Sequence, residues 1–169
     1  QSPKSEFYNK NGVGLPFHQG VKDFNDLYPT NRVYSTKGNR IAEANDLLFS
    51  VRAPVGRMNI APCKMIIGRG LSAIRHKEKK QSFLILALLN RFTEKDMLGN
   101  GSIYKSINKN ELSNLLFIHP SIEVLDEFNK IGNSYLNKIK NIIDSNFKLV
   151  CMRDLLIENI VTGRRLLKN

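Results

Sequence analysis

The sequence contains little of what disulfide-stabilised, metal-binding or membrane-spanning proteins require. Its 169 residues include two cysteines, three histidines and no tryptophan. Cys63 and Cys151 form no CxxC pair and have no histidine at zinc-ligand spacing, so we expect two free thiols in a reducing cytoplasm and no bound metal. The longest apolar run, Phe83 to Leu89, is well short of the roughly 18 residues that span a bilayer. We therefore expect a cytoplasmic protein that does not enter a membrane.

Positive charge, by contrast, is abundant. The chain has 26 lysines and arginines against 15 aspartates and glutamates, which gives a formal net charge of +11 and a pI of about 9.8. Residues 1–119 carry 18 basic and 9 acidic side chains, whereas residues 120–169 carry 8 and 6. An excess concentrated in the first 119 residues is expected of a surface that faces a polyanion, such as a nucleic acid.

The first 119 residues read as an α+β unit. Glycine, proline and asparagine turn signals separate short β-prone runs up to residue 76, which predicts a sheet of short strands and long loops. A helix is predicted over Ser82 to Phe92, a strand over Ile103 to Ile107 and a short helix over Glu111 to Leu116. The predicted strands before residue 76 lie at Arg32 to Ser35, Asp46 to Val51, Lys64 to Ile67 and Leu71 to Ile74.

The last 50 residues differ in kind. From Pro120 to Thr162 there is no further proline and one glycine, Gly132, while apolar residues recur at heptad spacing. The pattern predicts one helix of about 42 residues, roughly 63 Å long, with a seam that needs a partner helix. A core helix broken near Gly132 is the alternative. The predicted pairing residues are Leu125, Phe128, Tyr135, Ile139, Ile142, Leu149, Leu156 and Ile160.

The most informative segment runs from Leu48 to Ile74. Its β-prone ends enclose a predicted tight turn, in which Arg52 and Arg57 flank Pro54 and Gly56. An arginine held on a rigid hairpin can grip a phosphate or the O6 and N7 atoms of guanine.

This segment, SVRAPVG over 50–56, NIA over 59–61 and IGRGL over 67–71, closely resembles the signature of the specificity subunits of type I restriction–modification systems. Three further segments resemble the family in the same order: GLPFHQGVKDF over 14–24, GSIYKSI over 101–107 and RDLL over 153–156. The resemblance spans nearly the whole chain. The sequence departs from the family in having one recognition domain and one long helix, where a complete subunit has two of each.

The resemblance implies a division of the chain at residue 119. Residues 1–119 would form a target-recognition domain with a twisted mixed sheet and short helices, and residues 120–169 a spacer helix that pairs in an antiparallel coiled coil. The domain would read one half of a bipartite site in double-stranded DNA. Methylation of adenine would fall to partner methyltransferase subunits and cleavage to a motor-nuclease restriction subunit. The chain itself would have no catalytic residues and no cofactor.

Candidate DNA contacts are chosen by side-chain chemistry. Gln19 could read adenine and Lys22 could hold phosphate, while Lys105 and Ser106 could hold the DNA backbone. For Arg52 and Arg69, inside the resembling motifs, a structural role is an equal alternative. The complete set is Gln19, Lys22, Arg52, Arg57, Asn59, Arg69, Arg75, Lys105 and Ser106.

Competing interpretations are weaker. Gly68 to Ala73 fits the G-x-G-x-x-A dinucleotide fingerprint, but the basic residues from Ile74 to Lys80 offer no apolar face for the helix that must follow. Because one domain is present, we expect a homodimer, or pairing with a second half-subunit, through the long helix. An alternative function is a truncated half-subunit that mainly binds methyltransferase and reads DNA weakly.

Overall fold

The computed structural model describes residues 2–97 and 107–163. Within them, eight short strands precede three helices. The four strands predicted before residue 76 are present, as Tyr34–Ser35, Leu47–Ser50, Met65–Ile67 and Leu71–Ile74. The predicted helix over Ser82 to Phe92 lies inside the helix Gln81–Met97. The bounds are β1 Tyr8–Asn9, β2 Leu15–His18, β3 Tyr34–Ser35, β4 Ile41–Ala42, β5 Leu47–Ser50, β6 Met58–Ile60, β7 Met65–Ile67, β8 Leu71–Ile74, α1 Gln81–Met97, α2 Lys109–Ser113 and α3 Ile122–Val161.

The strands form two sheets. The larger has the order β1-β3-β2-β7-β4 and is mixed, because β2 and β7 are parallel while its other pairs are antiparallel. The smaller sheet, β6-β5-β8, is antiparallel throughout. A mixed sheet and an antiparallel sheet, together with a long helix, confirm the predicted α+β class.

Strand β5 connects the two parts of the core. Its four residues are all buried, since successive side chains point to opposite faces of the sheet and both faces are covered. Leu48 belongs to one apolar cluster with Met65 and Leu71, and Leu47 to a second with Ile85. The three-stranded sheet is therefore held between the larger sheet and α1.

The segment before α3 differs from the prediction in detail. Helix α2 spans Lys109–Ser113 rather than Glu111 to Leu116, because Asn108 caps it: the Asn108 Oδ1 accepts a hydrogen bond from the Glu111 N–H at 2.9 Å, and the Glu111 carboxylate accepts one from the Asn108 N–H. The predicted strand over Ile103 to Ile107 lies outside the described residues except for Ile107, which is not in a strand.

Helix α3 is continuous from Ile122 to Val161, so the alternative of a break at Gly132 is wrong. Its 40 residues correspond to about 60 Å. The first third packs against α1, where the Ser82 hydroxyl donates to the Asn129 Oδ1 at 2.6 Å. Gly132 permits this crossing, because a Cβ there would lie 2.7 Å from the Ser82 Oγ.

Packing on α1 also corrects the predicted pairing surface. Leu125 is completely buried within its own chain, so its assignment to a partner helix is wrong. Phe128 also packs on α1, because its ring makes an edge-to-face contact with Phe83 at 5.9 Å between ring centroids. The seam available to a partner therefore begins near Tyr135, which is 66% exposed.

The close α1–α3 crossing generates a stability prediction. Replacing Gly132 with leucine places a side chain where Ser82 already lies, so we expect a loss of about 1–3 kcal/mol in the free energy of unfolding, measured by chemical denaturation. Ser134→Leu is the control, since Ser134 is exposed on the same helix two residues later. Equal unfolding midpoints for the two variants would contradict the crossing.

Candidate nucleic-acid interface

Strands from both sheets end at one edge of the domain. In the parallel pair, His18 of β2 lies opposite Ile67 of β7, so the residues that follow both strands emerge together. The Gly70 N–H donates to the Gln19 carbonyl at 3.3 Å, and the Val51 N–H donates to the Gly70 carbonyl at 3.0 Å. Three loops, residues 19–23, 51–57 and 68–70, therefore lie side by side.

This edge gathers five of the nine predicted DNA-contacting residues. Each of the five is exposed. Four of them are basic, namely one lysine and three arginines. The fifth is a glutamine, whose side-chain amide has both donor and acceptor atoms. We call this surface the basic edge, and it consists of Gln19, Lys22, Arg52, Arg57 and Arg69.

Loop 51–57 is closed by Ser50 rather than by the tight turn that was predicted. The loop has seven residues between β5 and β6. The buried Ser50 hydroxyl donates to the Pro54 carbonyl at 2.5 Å and accepts from the Arg57 N–H at 2.9 Å. Gly56 has a φ of +87°, which favours glycine. These bonds hold the backbone at both ends of the loop, so Arg52 and Arg57 are presented on an ordered frame.

Loop 68–70 depends on its two glycines. A Cβ on Gly68 would lie 2.8 Å from the Gln19 Cα, and one on Gly70 would lie 2.7 Å from the Gln19 carbonyl oxygen. Only glycine allows the two backbones to approach so closely. The residues that follow form strand β8 rather than a helix, so the dinucleotide fingerprint is a coincidence of sequence.

Arg40 supports the same loop and was not singled out from the sequence. Its two terminal nitrogens donate to the carbonyls of Gly68 and Leu71 at 2.6 and 2.8 Å. These contacts join residues 28 and 31 positions apart, so no local pattern could have indicated them. Arg40 is thus a structural arginine that shapes the turn carrying Arg69.

Asn59 corrects the prediction most clearly. It is 1% exposed, its amide nitrogen donates to the Asn25 carbonyl at 2.8 Å, and its amide oxygen accepts from the Asn25 N–H at 3.2 Å. A side chain that is buried and hydrogen-bonded on both polar atoms cannot reach a base. The prediction of Asn59 as a DNA contact is therefore wrong, and its role is to hold the loop around Asn25.

Arg75 lies away from the basic edge. It follows the far end of β8, where its Nε and Nη2 donate to the two oxygens of Asp46 at 2.6 and 2.7 Å. These hydrogen bonds and the charge of Asp46 raise the pKa of Arg75. Asp46 is 4% exposed, and the pair closes the end of β5. Lys105 and Ser106 lie outside the described residues.

The second candidate surface is the part of α3 beyond the α1 contact. Its apolar side chains at the predicted seam positions are between 41% and 66% exposed. A stripe of this kind is unusual on a protein without a partner, because water is left in contact with contiguous apolar area. The exposed seam residues are Tyr135, Ile139, Ile142, Leu149, Leu156 and Ile160.

Other kinds of site are not evident in the described part of the chain. Residues 2–97 and 107–163 contain no group of three or more histidine, cysteine or acidic side chains that could hold a metal ion. None of the helices in those ranges combines the length and apolar character that crossing a bilayer requires. The described residues thus form a small α+β domain with a basic sheet edge, next to a long helix with an exposed apolar seam.

Comparison with known proteins gives the family. Residues 2–148 match the family described as the type I restriction modification DNA specificity domain. The chain is 42% identical, over 125 residues, to a putative type I restriction enzyme MjaX specificity subunit from Methanocaldococcus jannaschii. That alignment covers 73% of this chain and 29% of the relative. The chain belongs to the family of type I restriction–modification DNA specificity domains, which confirms the resemblance noted in its motifs.

Solved structures give the same result. The HsdS subunit from Thermoanaerobacter tengcongensis superposes with a TM-score of 0.65 and 34% identity, covering 83% of this chain and 34% of that one. A chain from a study of complex assembly and conformational transition of the type I R-M system superposes with a TM-score of 0.67 and 30% identity. It covers 94% of this chain and 41% of that chain, so the present sequence spans less than half the length of both.

The burial of Asn59 generates a prediction that separates folding from DNA binding. Asn59→Ala leaves both backbone polar groups of Asn25 without their partners, so we expect a loss of about 1–3 kcal/mol in the free energy of unfolding. Asn11→Ala, in an exposed loop, is the control. Under conditions in which the Asn59→Ala variant is folded, its affinity for DNA should equal that of the wild type. A large loss of affinity with unchanged stability would instead make Asn59 a DNA contact.

Proposed function

We propose that the chain is a sequence-specific DNA-binding module of a type I restriction–modification complex. Residues 1–119 act as the target-recognition domain, and residues 120–169 act as the spacer and pairing helix. The observation that carries the proposal is the convergence of Gln19, Lys22, Arg52, Arg57 and Arg69 on one edge. Family membership supports DNA reading over the alternative of a methyltransferase-binding protein that reads DNA weakly.

The basic edge would use two kinds of contact. Lysine and arginine bonds to phosphate set the position of the domain and release counterions, so binding should weaken steeply between roughly 50 and 200 mM salt. Arginine or glutamine bonds to base edges in the major groove supply the sequence preference. Binding of duplex DNA that is indifferent to salt over this range would contradict the use of the basic edge.

The exposed seam of α3 supports pairing with a second helix. We infer an antiparallel coiled coil between two copies of the chain, or with a second half-subunit, which would hold two recognition domains at a fixed separation. Two copies related by a twofold axis would read a palindromic bipartite site. The α1–α3 crossing at Gly132 makes the helix a rigid extension of the domain, so the helix length sets the spacing between half-sites.

A second apolar face on α3 supports a further partner. Phe147 and Leu155 are 68% and 59% exposed, and with Cys151 between them they follow an i, i+4, i+8 spacing on the side away from the seam. We propose that DNA adenine methyltransferase subunits dock on this part of the helix. A motor-nuclease restriction subunit would join the same assembly. Methylation and cleavage would belong to these partners, and the module itself would be non-catalytic, without a cofactor and cytoplasmic.

Arg57 provides the test of base reading. With a site selected from a random duplex library, Arg57→Ala should weaken binding by about 1–3 kcal/mol at one base pair and relax the preference there, because a bidentate guanine contact is lost. Arg153→Ala, on α3 and paired with Asp154, is the control. An equal loss on every sequence would instead make Arg57 a phosphate contact.

Pairing is tested on the seam. Ile142→Asp puts a charge on a 52% exposed seam residue and should shift the chain from dimer to monomer in sedimentation velocity at micromolar concentration. Asn141→Asp introduces the same charge one residue earlier, off the seam, and should leave the dimer intact. A wild-type chain that sediments as a stable folded monomer would rule out the homodimer.

A further inference from the structure

A cleft of about 520 Å³ opens beside the basic edge and shares part of it. Gln19, Gly20 and Lys22 line it. It is also lined by Lys10 and Arg32, two cations that the sequence analysis did not single out. The three basic residues come from separate parts of the chain, namely the loop after β1, the turn after β2 and the segment before β3. The remaining lining residues are Tyr8, Phe17, Asp23 and Val33.

The charge of the cleft is positive. Asp23 is its one carboxylate, and this carboxylate forms an ion pair with Arg32, with 3.3 Å between the Oδ1 and Nε atoms. The Asp23 side chain is 18% exposed and that of Arg32 is 70% exposed. The ion pair therefore holds the Arg32 Nε and leaves the rest of the guanidinium group in water. In the described part of the chain, neither Lys10 nor Lys22 has an ion-pair partner.

The frame of the cleft is ordered before any ligand arrives. The Tyr8 ring packs on Phe17 with 4.7 Å between centroids, and its hydroxyl donates to the Pro3 carbonyl at 2.8 Å. The Asn9 side chain closes the next turn, donating to the Val13 carbonyl and accepting from the Val13 N–H. Lys10 therefore extends from a loop that hydrogen bonds hold on both sides. Less conformational entropy is then lost when a ligand binds.

We propose that this cleft binds a phosphodiester group of the DNA backbone through Lys10, Lys22 and Arg32, with Asp23 as a positioning residue for Arg32. The inference rests on the proposed function and extends the basic edge by two residues. Three cations against one carboxylate leave a net charge of +2, which attracts the negative charge of a phosphodiester, and the arginine contributes planar paired donors. Contacts of this kind set the register of the domain on the duplex while carrying no sequence information.

The test is the salt dependence of binding to a fluorescent random-sequence duplex, measured by anisotropy between roughly 50 and 200 mM salt. Lys10→Gln and Arg32→Gln should each reduce the slope of log affinity against log salt by about one, and the double variant by about two. The loss should be the same for every duplex sequence. Circular dichroism and thermal melting establish that each variant is folded.

Two controls remove matched charges elsewhere. Lys138→Gln removes a lysine on α3 that has no ion-pair partner among the described residues. Lys64→Gln removes a cation paired with Glu43 at 3.2 Å, as Arg32 is paired with Asp23. Both should keep the wild-type slope. Unchanged slopes in folded Lys10→Gln and Arg32→Gln proteins would overturn the inference while leaving the proposed function intact. A wild-type chain that binds no duplex would overturn both.

Inorganic phosphate distinguishes the source of the ligand. At constant ionic strength, added phosphate should leave duplex binding unchanged, because a phosphodiester held by many simultaneous contacts is not displaced by a single free ion. Binding of inorganic phosphate that Lys10→Gln abolishes, while that variant keeps the wild-type salt slope for the duplex, would assign the cleft to a free phosphate, and the proposal would be wrong.

Discussion

The contact between Gln19 and the glycines at 68 and 70 is the constraint on which the basic edge depends. The turn after β2 crosses the turn after β7 at backbone distance, and a single Cβ on either glycine would overlap Gln19. The hydrogen bond from the Gly70 N–H to Gln19, and the one from the Val51 N–H to Gly70, extend this contact to the third loop. Loops that would otherwise be independent thus become one surface with a fixed arrangement of charges.

Five arginines of the domain divide into two groups according to what they contact. Arg40 and Arg75 have their guanidinium groups hydrogen-bonded to carbonyls or to a buried carboxylate, so they stabilise turns and strand ends. Arg52, Arg57 and Arg69 are exposed at the meeting point of the loops, where a polyanion could reach them. Net charge alone did not distinguish the groups, since each arginine contributes equally to it.

Helix α3 serves two purposes along its length. Near its start, Gly132 and Asn129 fit against Ser82, so the helix is part of the domain core. Beyond Leu136 it leaves that core and keeps its apolar seam exposed. The exposed part of the helix is therefore continuous with the part that is packed in the domain core, with no break between them.

The sequence alone determined the periodic and local features of this protein. Heptad spacing without proline predicted the long helix, turn residues predicted four of the eight short strands, and the motifs from Ser50 to Leu71 indicated the family, because these signals depend on neighbours along the chain. Only the tertiary structure decided which polar residues face outward. Asn59 and Leu125 match the predicted chemistry but are buried, whereas Lys10 and Arg32 line the cleft without any local signal. Burial depends on contacts between residues far apart in sequence, and no spacing rule contains that information.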